Sequence, residues 1–152
     1  EGEDAILPLE AGQPLKGEQA ALFRDFWDTL FDVKPWYEPT LSGDTVWLSP
    51  GRLPAAIRSG IPAGRLIRGR FEPSHALFLA VPAAHIRNRV SFPAGDPHLQ
   101  SFLRGEQLAV SAEKGWCGIG ISADNVEYPV GFGKASGGVI KNHYPKGLRN
   151  LK

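Results

Sequence analysis

Apolar positions change their spacing along this chain, and the changes mark its elements. Leu22, Phe23, Phe26, Trp27 and Leu30 recur at i, i+1, i+4, i+5 and i+8, one stripe of a helix over residues 17–31, opposite Arg24, Asp25 and Asp28. Lys34-Pro35 ends it. Thr45–Leu48 reads as a short strand between a Ser42-Gly43-Asp44 turn and Pro50-Gly51. In Gly64–Phe71 an extended chain puts Arg65, Ile67 and Gly69 on one face and Leu66, Arg68 and Arg70 on the other. Pro73–Val81 reads as a short helix with Pro73 in its first turn, and His75 sits beside its apolar side as a partly buried histidine. Val90–Phe92 suits a strand. Asp96-Pro97 then opens a helix, with Asp as N-cap, Pro at N1 and Gly105 as terminator.

Beyond Gly105 the period becomes two. Strands are predicted over Gln107–Val110, Gly115–Ile121, Val126–Lys134 and Val139–Lys141, with turns at Ala123-Asp124-Asn125 and Ser136-Gly137-Gly138. Trp116, Gly118 and Gly120 fall on one face of the second strand, and Cys117, Ile119 and Ile121 on the other. Pro129 inside the third argues for an edge or a bulge. The expectation is an α+β chain: a small α/β subdomain over residues 17–84, then a small bulged β-barrel over 90–152, behind an acidic linker or domain end over 1–16.

Composition adds compartment and charge. Gly 18 and Pro 13 favour short strands and turns. One cysteine allows no internal disulfide, no apolar run reaches bilayer length, and no signal-peptide pattern is present, so a cytoplasmic protein is expected. The absence of methionine suggests a segment of a longer polypeptide. The net charge of +1 conceals a polarity, since residues 1–51 hold ten Asp/Glu against three Lys/Arg and residues 52–152 hold fourteen Lys/Arg against six Asp/Glu. Arg52, Arg58, Arg65, Arg68 and Arg70 precede any acid in that second part. The basic half suits a phosphate polymer; the plain alternative is a set of solvated faces.

Catalytic chemistry finds no foothold. Cys117 lies in an alternating Gly/Ile strand without a nearby His or second Cys and reads as a core residue. Gly133-Lys134 lacks the pattern of a phosphate loop, because Tyr128 stands where the earlier glycine belongs and Ala135 where Ser or Thr should follow. His75, His85, His98 and His143 are scattered without metal-ligand spacing, so no metal is expected.

The densest signal is Gly131–Arg149, GFGKASGGVIKNHYPKGLR, with five glycines, four fixed cations (Lys134, Lys141, Lys146, Arg149) and no acid. Gly131-Phe132-Gly133-Lys134 followed by Lys141-Asn142-His143-Tyr144-Pro145-Lys146-Gly147-Leu148-Arg149 resembles the close of the C-terminal PUA-like domain in RsmF-type bacterial rRNA 5-methylcytosine methyltransferases of the Sun family. Arg70–Leu77 and Phe102–Glu106 resemble two further signatures of that family in the same order, and the likeness runs from about Phe23 onward. The pattern alone leaves OB-like and SH3-like barrels open; the resemblance implies PUA. It also implies a non-catalytic region that docks structured small-subunit rRNA, as a monomer, for a catalytic domain of the same polypeptide. S-adenosylmethionine would belong to that domain, and none is expected in this chain. The candidate RNA contacts are Lys134, Lys141, Asn142, Lys146 and Arg149, with Arg65, Arg68 and Arg70 as a second patch. Tyr144 either stacks on a base or closes the barrel core against Leu148, and Phe132 reads as core. The alternative is a packing module that buries Gly131, Gly133 and Gly138 against the catalytic domain, pairs Lys141 or Arg149 with its carboxylates, and has little RNA affinity of its own.

Overall fold

The computed structural model describes residues 13–49 and 60–150. The acidic start over 1–12, the expected strand end at Pro50-Gly51, and Arg52 and Arg58 lie outside the described residues. The chain divides into two compact units, one of residues up to Thr29 with Val33–Leu77, the other of Leu30–Asp32 with Phe78 onward. Few helices and many strands give the expected α+β class.

In the first unit, α1 (Gly17–Leu30) presents the apolar stripe anticipated from its spacing: Phe23 and Trp27 are buried, while Arg24, Asp25 and Asp28 face solvent. The Trp27 indole donates to the Val33 carbonyl, which fixes the chain as it leaves the helix. Phe71 meets Phe23 edge-on at 5.3 Å between centroids. The strand carrying Phe71 belongs to an antiparallel sheet of β1 (Gln13–Pro14), β2 (Pro39–Ser42), β3 (Thr45–Leu48), β4 (Ile61–Ile67) and β5 (Arg70–Pro73), adjacent in chain order. The single strand expected over Gly64–Phe71 is instead a hairpin. Arg68 and Gly69 take φ of +53° and +77°, so the chain reverses there and Arg65 comes to face Glu72. Pro73 closes β5, and the Ser74 hydroxyl accepts from Leu77 N to cap α2 (His75–Ala80), so the predicted helix starts two residues later than its proline suggested.

In the second unit, β6 (Arg89–Pro93) pairs parallel with β7 (Gly115–Ala123), and β7, β8 (Val126–Ser136) and β9 (Val139–Asn142) follow antiparallel. This mixed sheet curls into a half-barrel. The crossover carries α3 (Pro97–Leu103), whose Asp96 cap accepts from His98 N at 2.7 Å and whose end is released by Gly105 at φ +93°. The concave side holds Phe92, Leu99, Phe102, Leu108, Cys117, Ile119, Ala135 and Ile140. Asp124 and Asn125, both at positive φ, form the tight β7–β8 turn, and Gly137-Gly138 form the β8–β9 turn. Pro129 lies where the register slips between Ile119 and Gly120, the bulge its ring predicts. The strand expected over Gln107–Val110 is absent; only Leu108 bridges Ile140.

Candidate nucleic-acid interface

Strand register decides which cations become neighbours. Trp116 faces Lys134 across β7–β8, and Lys134 faces Lys141 across β8–β9. Directly opposite residues share a face of the sheet, so the three form one transverse row. Gly133 and Ala135 turn the other way, into the half-barrel; Gly133 is required there, because a Cβ would lie 2.4 Å from the Lys141 carbonyl oxygen. Lys134 and Lys141 are exposed, and no carboxylate among the described residues pairs with them or with Lys146. The Lys134 ammonium stands 4.7 Å from the Trp116 ring centre.

Aromatic rings continue that face. Phe132 is buried and stacks on Phe78 at 4.3 Å with planes 3° apart, as its core reading requires. His143 stacks on Phe132 at 5.2 Å and meets the half-buried Trp116 edge-on at 5.1 Å. Trp116 and His143 were not among the candidate RNA contacts read from the sequence. Trp116 belongs with the lysines only once the β7–β8 register is known, and no local pattern supplies that register.

The other members of the motif hold the scaffold. Asn142 Nδ2 donates to the carbonyls of Phe102 and Glu106 at 2.9 and 2.8 Å, and its Oδ1 accepts from Tyr144 N at 2.7 Å. Its side chain therefore ties the end of α3 to the close of β9 and is not held out toward solvent. Tyr144 packs on Phe102 at 5.3 Å beside the core, whereas Leu148 is 55% exposed. Arg149 lies over Gly105 and donates from Nε to the Tyr144 carbonyl at 3.1 Å. Lys146, on a single 3₁₀ turn, is exposed.

The arginine patch belongs to the first unit and is largely compensated. Arg65 binds Asp44 at 2.9 Å and Arg70 binds Glu72 at 3.1 Å, both pairs at the surface. The Arg65 hydrogen bond lowers the Asp44 pKa, and the same bond raises that of Arg65. Arg68, on the hairpin turn, is exposed and has no carboxylate partner among the described residues.

A second polar cluster was not read from sequence. Arg89 grips Glu127 from Nε and Nη2 at 2.7 and 3.0 Å, and Ser91 donates to the same carboxylate at 2.6 Å. These bonds, Arg89 first, hold the Glu127 carboxyl at about 2. They line an open groove with Arg87, Ser122 and Asn125. Thirty-eight residues separate the pair, so spacing offered no signal.

Cys117 is buried, and burial pushes its thiol up to about 11. Burial likewise lowers the His75 pKa. No three His, Cys, Asp or Glu side chains come together among the described residues, and no helix there is long and apolar enough to cross a membrane.

Residues 89–150 match the family model of the methyltransferase RsmF PUA domain. The matched segment coincides with the half-barrel and includes the Trp116–Lys134–Lys141 row. No curated protein matches the chain.

Proposed function

We propose that this chain is the non-catalytic RNA-binding region of an S-adenosylmethionine-dependent rRNA cytosine-C5 methyltransferase. It docks structured small-subunit rRNA in the cytoplasm, as a monomer, while a catalytic domain of the same polypeptide transfers the methyl group. The observation that carries this reading is the pair Lys134 and Lys141, side by side on a rigid sheet, without carboxylates, inside the segment that matches the RsmF PUA domain. Lysines placed this way are suited to phosphates, whose neutralisation releases counterions. Lys146 and Arg68 extend the same chemistry; Arg65, Arg70 and Arg149 contribute what their existing partners leave available.

The packing alternative draws on the glycines. Gly131 lies under the rings of Phe102 and Tyr144 and Gly133 under the Lys141 carbonyl, so the unit's own packing accounts for both, and this favours docking. Anisotropy with a small-subunit rRNA fragment across a salt series tests the reading. Log K should fall linearly with log[salt], and a Lys134/Lys141/Lys146→Ala variant should lose roughly 2 from that slope, at about 0.7–0.9 per phosphate contact. Shallow salt dependence, or equal binding by the triple variant, would leave RNA docking without support.

A further inference from the structure

Trp116 is half-buried and lies on the solvent-facing end of the sheet's outer face. Phe132 at 5.6 Å and His143 at 5.1 Å buttress its ring, yet neither seals it as Trp27, 1% exposed, is sealed in the first unit. The cover on Trp116 is Lys134, which pairs with no carboxylate among the described residues. A lysine over a solvent-facing ring is a weak, exchangeable hold, and an ammonium trades it readily for a phosphate. Lys141 stands directly across from Lys134, so a phosphate beside the ring would meet two positive charges.

We propose that Trp116 is a stacking platform for an unpaired RNA base. The base takes the indole face now under Lys134, and Lys134 with Lys141 clamps the adjoining phosphate. This rests on the RNA-docking reading and narrows it to RNA with a bulge, loop or single-stranded end, because a paired base keeps its faces inside its own stack. The buttressing by Phe132 and His143 fixes the ring plane before binding, which reduces the ordering cost.

The test uses the whole chain and three fluorescent RNAs at one salt concentration: a fully paired hairpin, the same hairpin with a one-nucleotide bulge, and an unpaired oligonucleotide. Trp116→Leu should weaken the bulged and unpaired RNAs by roughly 5- to 150-fold, the range of one base–aromatic stack, and leave the paired hairpin nearly unchanged. Trp116→Phe, which keeps an aromatic face, should retain most of the affinity while abolishing the quenching of tryptophan emission by the bulged RNA. That second variant carries the test if Trp116→Leu fails to fold by circular dichroism. Trp116→Leu weakening all three RNAs alike or none, or quenching that persists in Trp116→Phe, overturns the platform. If Lys134→Ala/Lys141→Ala still abolishes salt-steep binding in that case, docking stands without it. Absence of salt-steep binding by the native chain overturns both.

Discussion

Replacing Asn142 with alanine separates scaffold from contact surface. The side chain makes three hydrogen bonds, to the carbonyls of Phe102 and Glu106 and from the amide of Tyr144. The Phe102 carbonyl, in the last turn of α3, also accepts from Gly105 N at 2.9 Å, so it keeps one donor when the Asn142 amide is removed, whereas Tyr144 N loses its acceptor. At a net ~0.5–1.5 kcal/mol per bond, and with the carbonyl of the exposed Glu106 able to turn to water, the two remaining bonds make the cost of Asn142→Ala about 1–3 kcal/mol. Asn142→Asp keeps an acceptor for Tyr144 N but sets a carboxylate against two carbonyl oxygens, so at neutral pH it should cost no less. A chain of two units need not unfold in one step, so the readout must lie within the second unit. Native-state amide exchange at Leu108 and Ile140, which bond each other's carbonyls across the half-barrel, supplies it. The alanine variant should lower the opening free energy at those amides by the stated amount. Its RNA salt slope should match that of the native chain under conditions where both are folded. A loss below about 0.5 kcal/mol would refute the bonding account. An unchanged exchange pattern with a reduced salt slope would return Asn142 to the RNA surface.

Three further outcomes are expected. Glu127, held at about 2 against its ordinary 4.5, stabilises the fold above its unfolded pKa, and that contribution disappears as pH falls from about 4.5 to about 2. With roughly a third of both side chains exposed, solvent screening leaves ~1–2 kcal/mol, so thermal melts of Glu127→Gln should be flatter than the native chain's across that window, and parallel curves would sink the assignment. Gly133→Ala would set a Cβ 2.4 Å from the Lys141 carbonyl and 2.6 Å from Ile140 Cγ2, forcing β9 away at a cost of ~1–3 kcal/mol or more by denaturant titration, and a wild-type midpoint would contradict the packing. Cys117, buried with its thiol pushed up to about 11, should resist iodoacetamide at pH 8 and gain its mass adduct only in denaturant, whereas rapid labelling of the folded chain would show the site open.

Local chemistry was legible, and pairing was not. The helix at Asp96-Pro97, the alternating β7 and the two glycine or Asx turns each carry their cause within a few residues. Arg68 hid the β4–β5 hairpin because arginine seldom takes a positive φ, so the sequence reads as extended there. The parallel partnership of β6 with β7 has no adjoining turn to announce it, since a helix intervenes. Leu108 supplies one bridge to Ile140 and no strand, since its neighbours Gln107 and Ala109 are exposed. The same reason limits the site: Arg65 and Asp44 are 21 positions apart and Arg89 and Glu127 38, so no spacing reveals which cations are already taken.

Compensation within the fold redistributes the charge that the sequence displays. Asp44, from the acidic half, neutralises Arg65, and the basic half's own Glu72, Glu106 and Glu127 bind Arg70, Arg104 and Arg89. Among the described residues every lysine or arginine found in an ion pair is an arginine. The guanidinium fork fits a carboxylate with two directed bonds, whereas an ammonium on a flexible stem stays hydrated and available. Arg65, Arg70, Arg89 and Arg104 thus serve the fold, and on the proposed reading Lys134, Lys141 and Lys146 are the cations offered to RNA. The proposed RNA-facing surface is therefore smaller than composition suggests, with Lys134 and Lys141 sharing the Trp116 face of the half-barrel. The salt slope of RNA binding should accordingly depend on the lysines: Arg104→Ala, whose charge Glu106 already balances, should leave the slope unchanged even where it costs stability. A slope that falls as far for Arg104→Ala as for Lys134→Ala would mean that net charge, and not the free row, attracts the RNA.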